Sequence, residues 1–254
     1  MLYKYLPYCI FRRFFGDRKK YGLTVDPRDK DFIEYRSRMW SFYRSQQKGF
    51  LGNLVSRMGF RVNNLDLSGK TILEIGPGIV EHWDYNQTRP AEYYIVDVSR
   101  EALSIARESL KKYGIYNARE LLSDGKSIPL EDHSVDMVLT FNQLEHVADL
   151  PRYVHEIRRV LKKGGLLIGS VPTEGSLAWG IGRYLTSRRY VYRDMKLDYD
   201  KIICWEHPNF VDWIRKCLKL RFAVVAAAKR PLPFLPMDLN LMWVFVCRND
   251  GPDT

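Results

Sequence analysis

Apolar positions in residues 69–172 switch repeatedly between two periods. Short apolar runs with strand length fall at Thr71–Ile75, Tyr93–Val98, Arg119–Leu122, Val135–Phe141 and Gly165–Val171. Between them the period lengthens. Ser99 caps a helix predicted to run to about Tyr113, with Ala102, Leu103, Ala106 and Leu110 at helical spacing. Leu150–Lys163 places Val154, Ile157, Val160 and Leu161 on one face. Lys162 and Lys163 complement its C-terminal dipole, and Gly164 or Gly165 stops it. Strands alternating with helices predict an α/β domain built on a parallel sheet. Pro172 ends the fifth strand. Phe222–Ala228 and Leu241–Cys247, joined by a turn carrying Pro231, Pro233 and Pro236, predict a hairpin-like pair that finishes the sheet.

The flanks read differently. Residues 1–68 are helical, polar and aromatic, and form an N-terminal extension. Residues 69–254 form the main domain. Within it, residues 173–206 are aromatic and basic, lack clear periodicity, and occupy the position of an inserted lid. No internal repeat or low-complexity tract interrupts the chain.

Composition narrows the class. The chain has 254 residues, 46% of them apolar and 13% aromatic, enough to bury a core in one α/β domain with additions. No apolar run approaches the ~20 residues that cross a bilayer, and Arg12 and Arg13 break any signal-peptide core. Cys9, Cys204, Cys217 and Cys247 are too scattered for a zinc ribbon or a disulfide scaffold, which points to a reducing cytoplasm. The net charge is +10. Residues 1–25 hold Lys4, Arg12, Arg13, Arg18, Lys19 and Lys20 against Asp17 alone, which invites an anionic partner.

The chemistry begins at Glu74-Ile75-Gly76-Pro77-Gly78. Glycines directly after a buried strand let the backbone approach a ligand closely. At the end of the next strand, Asp97 can accept hydrogen bonds from both hydroxyls of a ribose. Together they indicate a nucleoside-containing cofactor. A dinucleotide would want glycine at position 81, where this chain has Glu81, and a carboxylate repels a pyrophosphate. Glu74 likewise suits a cation. S-adenosylmethionine carries a sulfonium, an ammonium and a ribose, and no phosphate.

On these residues the segment 71–172 resembles the class I S-adenosylmethionine-dependent methyltransferases. Glu74–Gly78 is similar to that family's first motif and Asp97 to its second. Ser123-Asp124-Gly125 resembles the third, Ser134–Val147 the fourth, and Arg159–Gly165 the fifth, all in the family's order. Val80 departs from the pattern, which usually has a third glycine there. The resemblance implies a doubly wound, mostly parallel seven-stranded Rossmann-like sheet with a C-terminal antiparallel strand. It also implies S-adenosyl-L-methionine as cofactor. Glu74 would face the methionine amine, and Gly76, Pro77 and Gly78 would pass beneath the cofactor. Asp97 would hold the ribose, with Val98 against the adenine. Asp124 would accept from the adenine amine, with the Gly125 backbone nearby, and Asn142 would point its carbonyl at the amine and sulfonium.

Methyl transfer requires chiefly in-line positioning, and a base only when the acceptor must lose a proton. His146 is the catalytic candidate; packing against the cofactor pocket or capping a helix is its competing role. Glu206-His207 is a second acid–base pair, more simply read as a helix-start hydrogen-bonding pair. His82 stands just past the glycine turn, either touching the cofactor's methionine end or lying at a surface or helix start. Quinone-type O-methyltransferases can carry Glu-x-x-Glu-His as a metal site. Here the first position is Asn142, so no metal is expected.

The acceptor is read from the additions. Phe141-Asn142-Gln143-Leu144 lacks the Pro-Pro-Tyr pattern of base N-methylation, which argues against nucleic acid. The lid holds Trp179, Tyr184, Tyr190, Tyr192, Tyr199 and Trp205 with Arg183, Arg188, Arg189 and Arg193. Aromatics stack on sugars and arginines bind phosphate; the plainer alternative is a lid that packs on the core. The expectation is O-methylation of a glycan, nucleotide-sugar or lipid-linked intermediate. A quinone-type or other small-molecule methyltransferase at a membrane surface is the alternative, and a non-catalytic methyltransferase-like binding protein the reading of another class. Tyr8, Phe11 and Phe15 share one helical face. A cover helix docked on the domain is favoured for it over an interfacial helix on lipid, so the expected location is cytoplasmic with peripheral contact at the inner membrane face left open. Residues 31–60 are expected to pack as helices near the cofactor mouth.

Overall fold

A computed structural model describes residues 1–38, 55, 57–60, 66–85 and 88–250. Seven strands form one sheet: β1 (Thr71–Ile75), β2 (Glu92–Asp97), β3 (Arg119–Leu122), β4 (Val135–Phe141), β5 (Leu161–Pro172), β6 (Ala223–Arg230) and β7 (Met242–Arg248). Their spatial order is β3-β2-β1-β4-β5-β7-β6. β1 through β5 are mutually parallel, and β7 enters antiparallel between β5 and β6. The order reverses at β1, so the crevice beyond the carboxyl ends of β1 and β4 is the topological switch point where such sheets bind ligands. β1 is apolar on both faces because both are covered: Leu73 and Ile75 join one core layer and Ile72 the other.

The helices flank this sheet. α1 (Tyr8–Phe15) and α2 (Arg18–Tyr21) belong to the extension. α3 (Arg100–Lys111) and α4 (Leu150–Val160) are sheet crossovers. α5 (Leu177–Leu185) and α6 (Tyr199–Glu206) lie in the lid, and α7 (Val211–Arg221) precedes β6. Ser99 caps α3 by accepting from the Ala102 amide at 3.3 Å. α4 ends at Val160, earlier than its sequence suggests, and Leu161 already has extended backbone. The stop is tertiary. Asn249 donates from Nδ2 to the carbonyls of Leu161 and Lys162, while its own carbonyl accepts from the Gly164 amide at 2.8 Å. Lys162 and Lys163 therefore belong to a strand rather than to a helix terminus. β2 stops at Asp97, leaving Val98 outside the ladder.

The aromatic face of α1 is internal. Phe15 is fully buried, Phe11 and Phe15 pack against Phe210, and Tyr8 stacks on Phe11. Gly180 of α5 admits this helix, because a Cβ there would stand 2.9 Å from Phe15 and 3.0 Å from Phe14. The lid, patternless in sequence, is mostly helical. The expectation for residues 31–60 falls largely outside the described residues; residues 30–38 are helical. Among the described residues no helix is long and apolar enough to cross a membrane.

Candidate active site

Four strand ends converge at the switch point. After β1 the chain turns through Gly76 and Gly78, both at positive φ (61° and 50°), with buried Pro77 between them. The Gly76 amide donates to the Val96 carbonyl at 2.9 Å, which ties this turn to β2. A Cβ at Gly76 would strike the Gln143 side chain at 2.6 Å, whereas Gly78 faces open space. The positive φ of Gly76 favours glycine, and a side chain there would have to displace the end of Gln143.

Asp97 closes β2 with Oδ1 accepting from the Ser99 amide at 2.8 Å. Burial raises its carboxyl pKa, opposed by the Ser99 and Val98 amides and by the charges of Arg36 and His146. Val98 is 55% exposed, an apolar shelf beside that carboxylate. Gly125, at φ 75°, lies against it: a Cβ there would be 3.2 Å from Val98 Cγ1. Asp124 folds its own loop by accepting from the Lys126 and Ser127 amides at 2.8 and 2.9 Å. Both bonds use Oδ1 and hold its pKa down.

Asn142 follows β4 in left-handed backbone, φ 54°. Its amide donates to Ser170 at 2.8 Å, and its Oδ1 is buried without a hydrogen-bond partner. An orphaned buried acceptor costs about 1–3 kcal/mol unless something hydrogen-bonds to it.

Glu74 and Val80 differ most from a simple motif picture. Glu74 is 2% exposed, and both its carboxylate oxygens are engaged: His82 Nε2 donates to one at 2.9 Å and Tyr93 donates to the other. A cofactor amine reaches it only by way of these partners. His82 is buried beside Phe141, their ring centroids 4.8 Å apart, so it occupies no surface position. Val80 is fully buried among Trp83, Tyr93 and Leu103, its amide donating to Ser109 Oγ at 3.2 Å. The missing third glycine thus contributes a side chain to the core.

Beyond Asn142 lies a buried ionisable cluster. His146 Nδ1–H donates to the Glu206 carbonyl at 2.6 Å, which leaves Nε2 as the acceptor nitrogen. Burial lowers the His146 pKa, opposed by Glu206 and assisted by Arg36 and Arg183. Its ring meets His207 edge-on, 4.5 Å between centroids. His207 Nδ1–H donates to Glu174 at 2.5 Å; burial first, then His146, holds its pKa well below the usual range. The fully buried Glu174 also pairs with Arg183 and accepts from Trp179 Nε1 at 2.8 Å. Glu145, beside His146, is pushed by burial to about 8, and its Oε2 has no partner among the described residues. Asn209 donates to the carbonyls of Leu144 and Val147, locking the His146 loop to the segment that follows the lid. Glu206 and His207 thus do far more than start a helix. Sequence reasoning missed Glu174 and Arg183 as members of this cluster, because their partners lie far off in the chain. Among the described residues no group of three or more His, Cys, Asp or Glu is placed to hold a metal.

The lid's cations are largely self-paired: Arg183 with Glu174 and Arg188 with Asp200. Tyr199 and Trp205 are buried, and Trp205 Nε1 donates to the Tyr21 carbonyl at 3.1 Å. Much of the lid therefore packs on the domain, as the plainer reading anticipated.

A family model described as a methyltransferase domain matches residues 73–169. Curated relatives include phthiotriol/phenolphthiotriol dimycocerosates methyltransferase 1 of Mycobacterium ulcerans, 29% identical over 107 residues, covering 41% of this chain and 38% of that protein. Another is the ubiquinone/menaquinone biosynthesis C-methyltransferase UbiE of Idiomarina loihiensis, 25% identical over 132 residues, covering 52% and 47%. The chain spans less than half the length of the curated relatives it matches. Among solved structures, an S-adenosylmethionine-dependent methyltransferase from Mesorhizobium loti superposes with TM-score 0.51 at 17% identity, covering 74% of this chain and 95% of that one. One from Aquifex aeolicus gives 0.50 at 17% identity, covering 83% and 98%. These two likenesses speak to the fold. Residues 73–169 thus match a methyltransferase domain, and the seven-stranded order built around them is the fold of the class I S-adenosylmethionine-dependent methyltransferases.

Proposed function

We propose that this chain transfers a methyl group from S-adenosylmethionine to a hydroxyl, with His146 as general base. The observation that carries the donor side is the orphaned Asn142 Oδ1 at the switch point, beside Asp97 with one oxygen uncommitted to backbone. These acceptors suit the donor: Asn142 for its ammonium, Asp97 for its ribose hydroxyls, Val98 for its adenine, and Asp124 for the adenine amine. Gly76, Pro77, Gly78 and Gly125 shape the floor. Glu74 serves as the anchor of His82 and Tyr93 and acts on the amine through them. The donor's sulfonium supplies the electrophile; the chain supplies alignment and a proton acceptor.

His146 is prepared for that role. The Glu206 carbonyl fixes its tautomer, and burial keeps the ring neutral, so Nε2 can take a proton from an acceptor hydroxyl. Arg36, 3.7 Å from Glu206, draws the extension into the same site. The acceptor read from the additions is a glycan, nucleotide-sugar or lipid-linked intermediate. The relative named for phthiotriol/phenolphthiotriol dimycocerosates favours the lipid-linked member of that set, whereas the ubiquinone/menaquinone C-methyltransferase speaks for the quinone-type reading. A quinone-type or other small acceptor at a membrane surface is the second reading. A binding protein without turnover is disfavoured by the prepared imidazole.

The test is transfer of labelled methyl into a cell extract fractionated into lipid, glycan and small-molecule pools. Label is expected in the lipid-linked or glycan pool and to fall about 10²–10⁴-fold with His146→Gln. Donor binding without label in any pool would leave the non-catalytic reading.

A further inference from the structure

The α1 stripe that the sequence offered to lipid is buried, yet another face of the same region is apolar and open. α5 presents Ile181 and Leu185 outward, Leu185 at 55% exposure. The short turn Met237–Leu239 packs on α5 and leaves Leu239 exposed. The Leu2 amide donates to Asp238 of that turn at 3.0 Å, so exposed Leu2 joins the same surface. Just ahead, on the proline-rich turn between β6 and β7, Phe234 is 78% exposed. α1 packs beside α5 and adds Ile10. Apolar side chains scattered singly need no explanation, but a cluster on adjoining elements marks an interaction site.

Charge identifies the partner. Residues 1–16, 177–193 and 223–237, the segments that build this face, contain nine Lys and Arg and no Asp or Glu. Lys4, Arg12, Arg183 and Arg188 pair with Asp212, Asp17, Glu174 and Asp200, so the charge offered to a partner is that of the exposed Arg13, Arg189 and Arg193 with half-buried Lys229 and Arg230. The neighbouring Asp238 is buried and lies 3.8 Å from the N-terminal amine. Position adds a third argument. Met242 pairs with Pro172 at the end of β5 and with Arg230 at the end of β6. The Phe234 turn and the start of α5 therefore lie at the carboxyl end of the parallel strands, the end that holds Asp97 and Asn142.

We propose that this face docks the chain on an anionic phospholipid bilayer, with Phe234, Leu239, Ile181 and Leu185 entering the interface and the surrounding cations on headgroup phosphates. Apolar insertion and cationic attraction act together in such docking, and the electrostatic part weakens with salt. The active-site mouth then lies at the membrane side, where a lipid-linked hydroxyl would be presented. That last step rests on the methyl-transfer reading; the docking does not.

Flotation of the full chain with phosphatidylcholine vesicles, with and without phosphatidylglycerol, tests it. Binding is expected only to the anionic vesicles and to fall with added salt. It should weaken roughly tenfold or more in Phe234→Ser/Leu185→Ser and in Arg13→Glu/Arg189→Glu. Leu220→Ser, on an exposed residue of α7, should leave it unchanged. Each variant is checked for donor binding by calorimetry, which separates loss of the face from loss of the fold. No binding to anionic vesicles, equal binding to both vesicle types, or binding indifferent to both double variants would overturn the proposal. So would a dimer of the parent chain that dissociates in Phe234→Ser, since the face would then belong to a second copy. Absence of donor binding in the parent would overturn the methyl-transfer reading alone.

Discussion

At the scale of single residues, the cofactor side and the acid–base side are built by opposite means. Asp97, Asp124 and Asn142 are the acceptors proposed for the donor, so removing one is expected to cost binding while the fold survives. Glu145 and Glu174 are buried; Glu174 is committed to His207 and Arg183, while Glu145 lies beside His146, 3.8 Å from its Nε2. Glu145 carries the clearest pH signature. Its pKa is near 8 in the folded chain against an ordinary value of 4.5, so between those limits the unfolded state has released a proton that the folded state still holds. Stability therefore falls as pH rises from about 4.5 to 8, and the penalty is full above that, a few kcal/mol in order of magnitude. Glu145→Gln should raise the melting temperature, with a gain that is small near pH 5 and grows to pH 8. A gain independent of pH would show that Glu145 ionises freely in the fold. For the imidazole the sign is reversed in function. His146 acts as base only when neutral, and burial depresses its pKa, so kcat/KM should stay flat on lowering pH from 8 to about 6.5 and decline below it. A decline beginning above pH 7 would exclude His146 as the base.

At the scale of elements, the crossovers were legible because local signals agree with tertiary need. TILEI, the Ser99 cap and the Val154/Ile157/Val160 face each point to the element that forms. What sequence alone left obscure depends on partners distant in the chain. The end of α4 is set by Asn249, which no local rule connects to Val160. Asn249→Ala should therefore lower stability by about 1–3 kcal/mol, read by chemical denaturation, since it removes the donor to the Arg158, Leu161 and Lys162 carbonyls and the acceptor of buried Arg158 Nε. Val80, a motif departure, becomes intelligible only once its burial against Trp83 and Tyr93 is seen. The lid's aromatic and basic composition suggested ligand contacts, yet Arg183 and Arg188 answer carboxylates of the chain itself. The packing of α1 on α5 makes a sharper prediction. Gly180→Val places a side chain against the ring of fully buried Phe15 and the Cβ of Phe14, and should displace α1. Limited proteolysis would then cleave within residues 1–22 of the variant faster than in the parent. Equal cleavage rates would mean that α1 is not held there.

At the scale of the whole molecule, the excess positive charge belongs to the additions around a methyltransferase-like core, for which we propose a cationic donor held by acidic and amide oxygens. The extension covers the lid through Phe15 and Phe210 and reaches the active site through Arg36. The same region turns an apolar, cationic face outward at the ligand end of the sheet. The proposed donor site, base and membrane face thus lie at one end of one sheet. Its foundation is the donor site, and the most direct measurement is calorimetric titration of S-adenosylmethionine into the parent chain and into Asp97→Ala. One donor per chain is predicted for the parent. For the variant, the affinity is predicted to fall by about tenfold or more, on the order of the 1.5–3 kcal/mol of a charge-assisted hydrogen bond, with melting temperature preserved. No heat of binding in the parent, or equal affinity in the variant, would contradict the account.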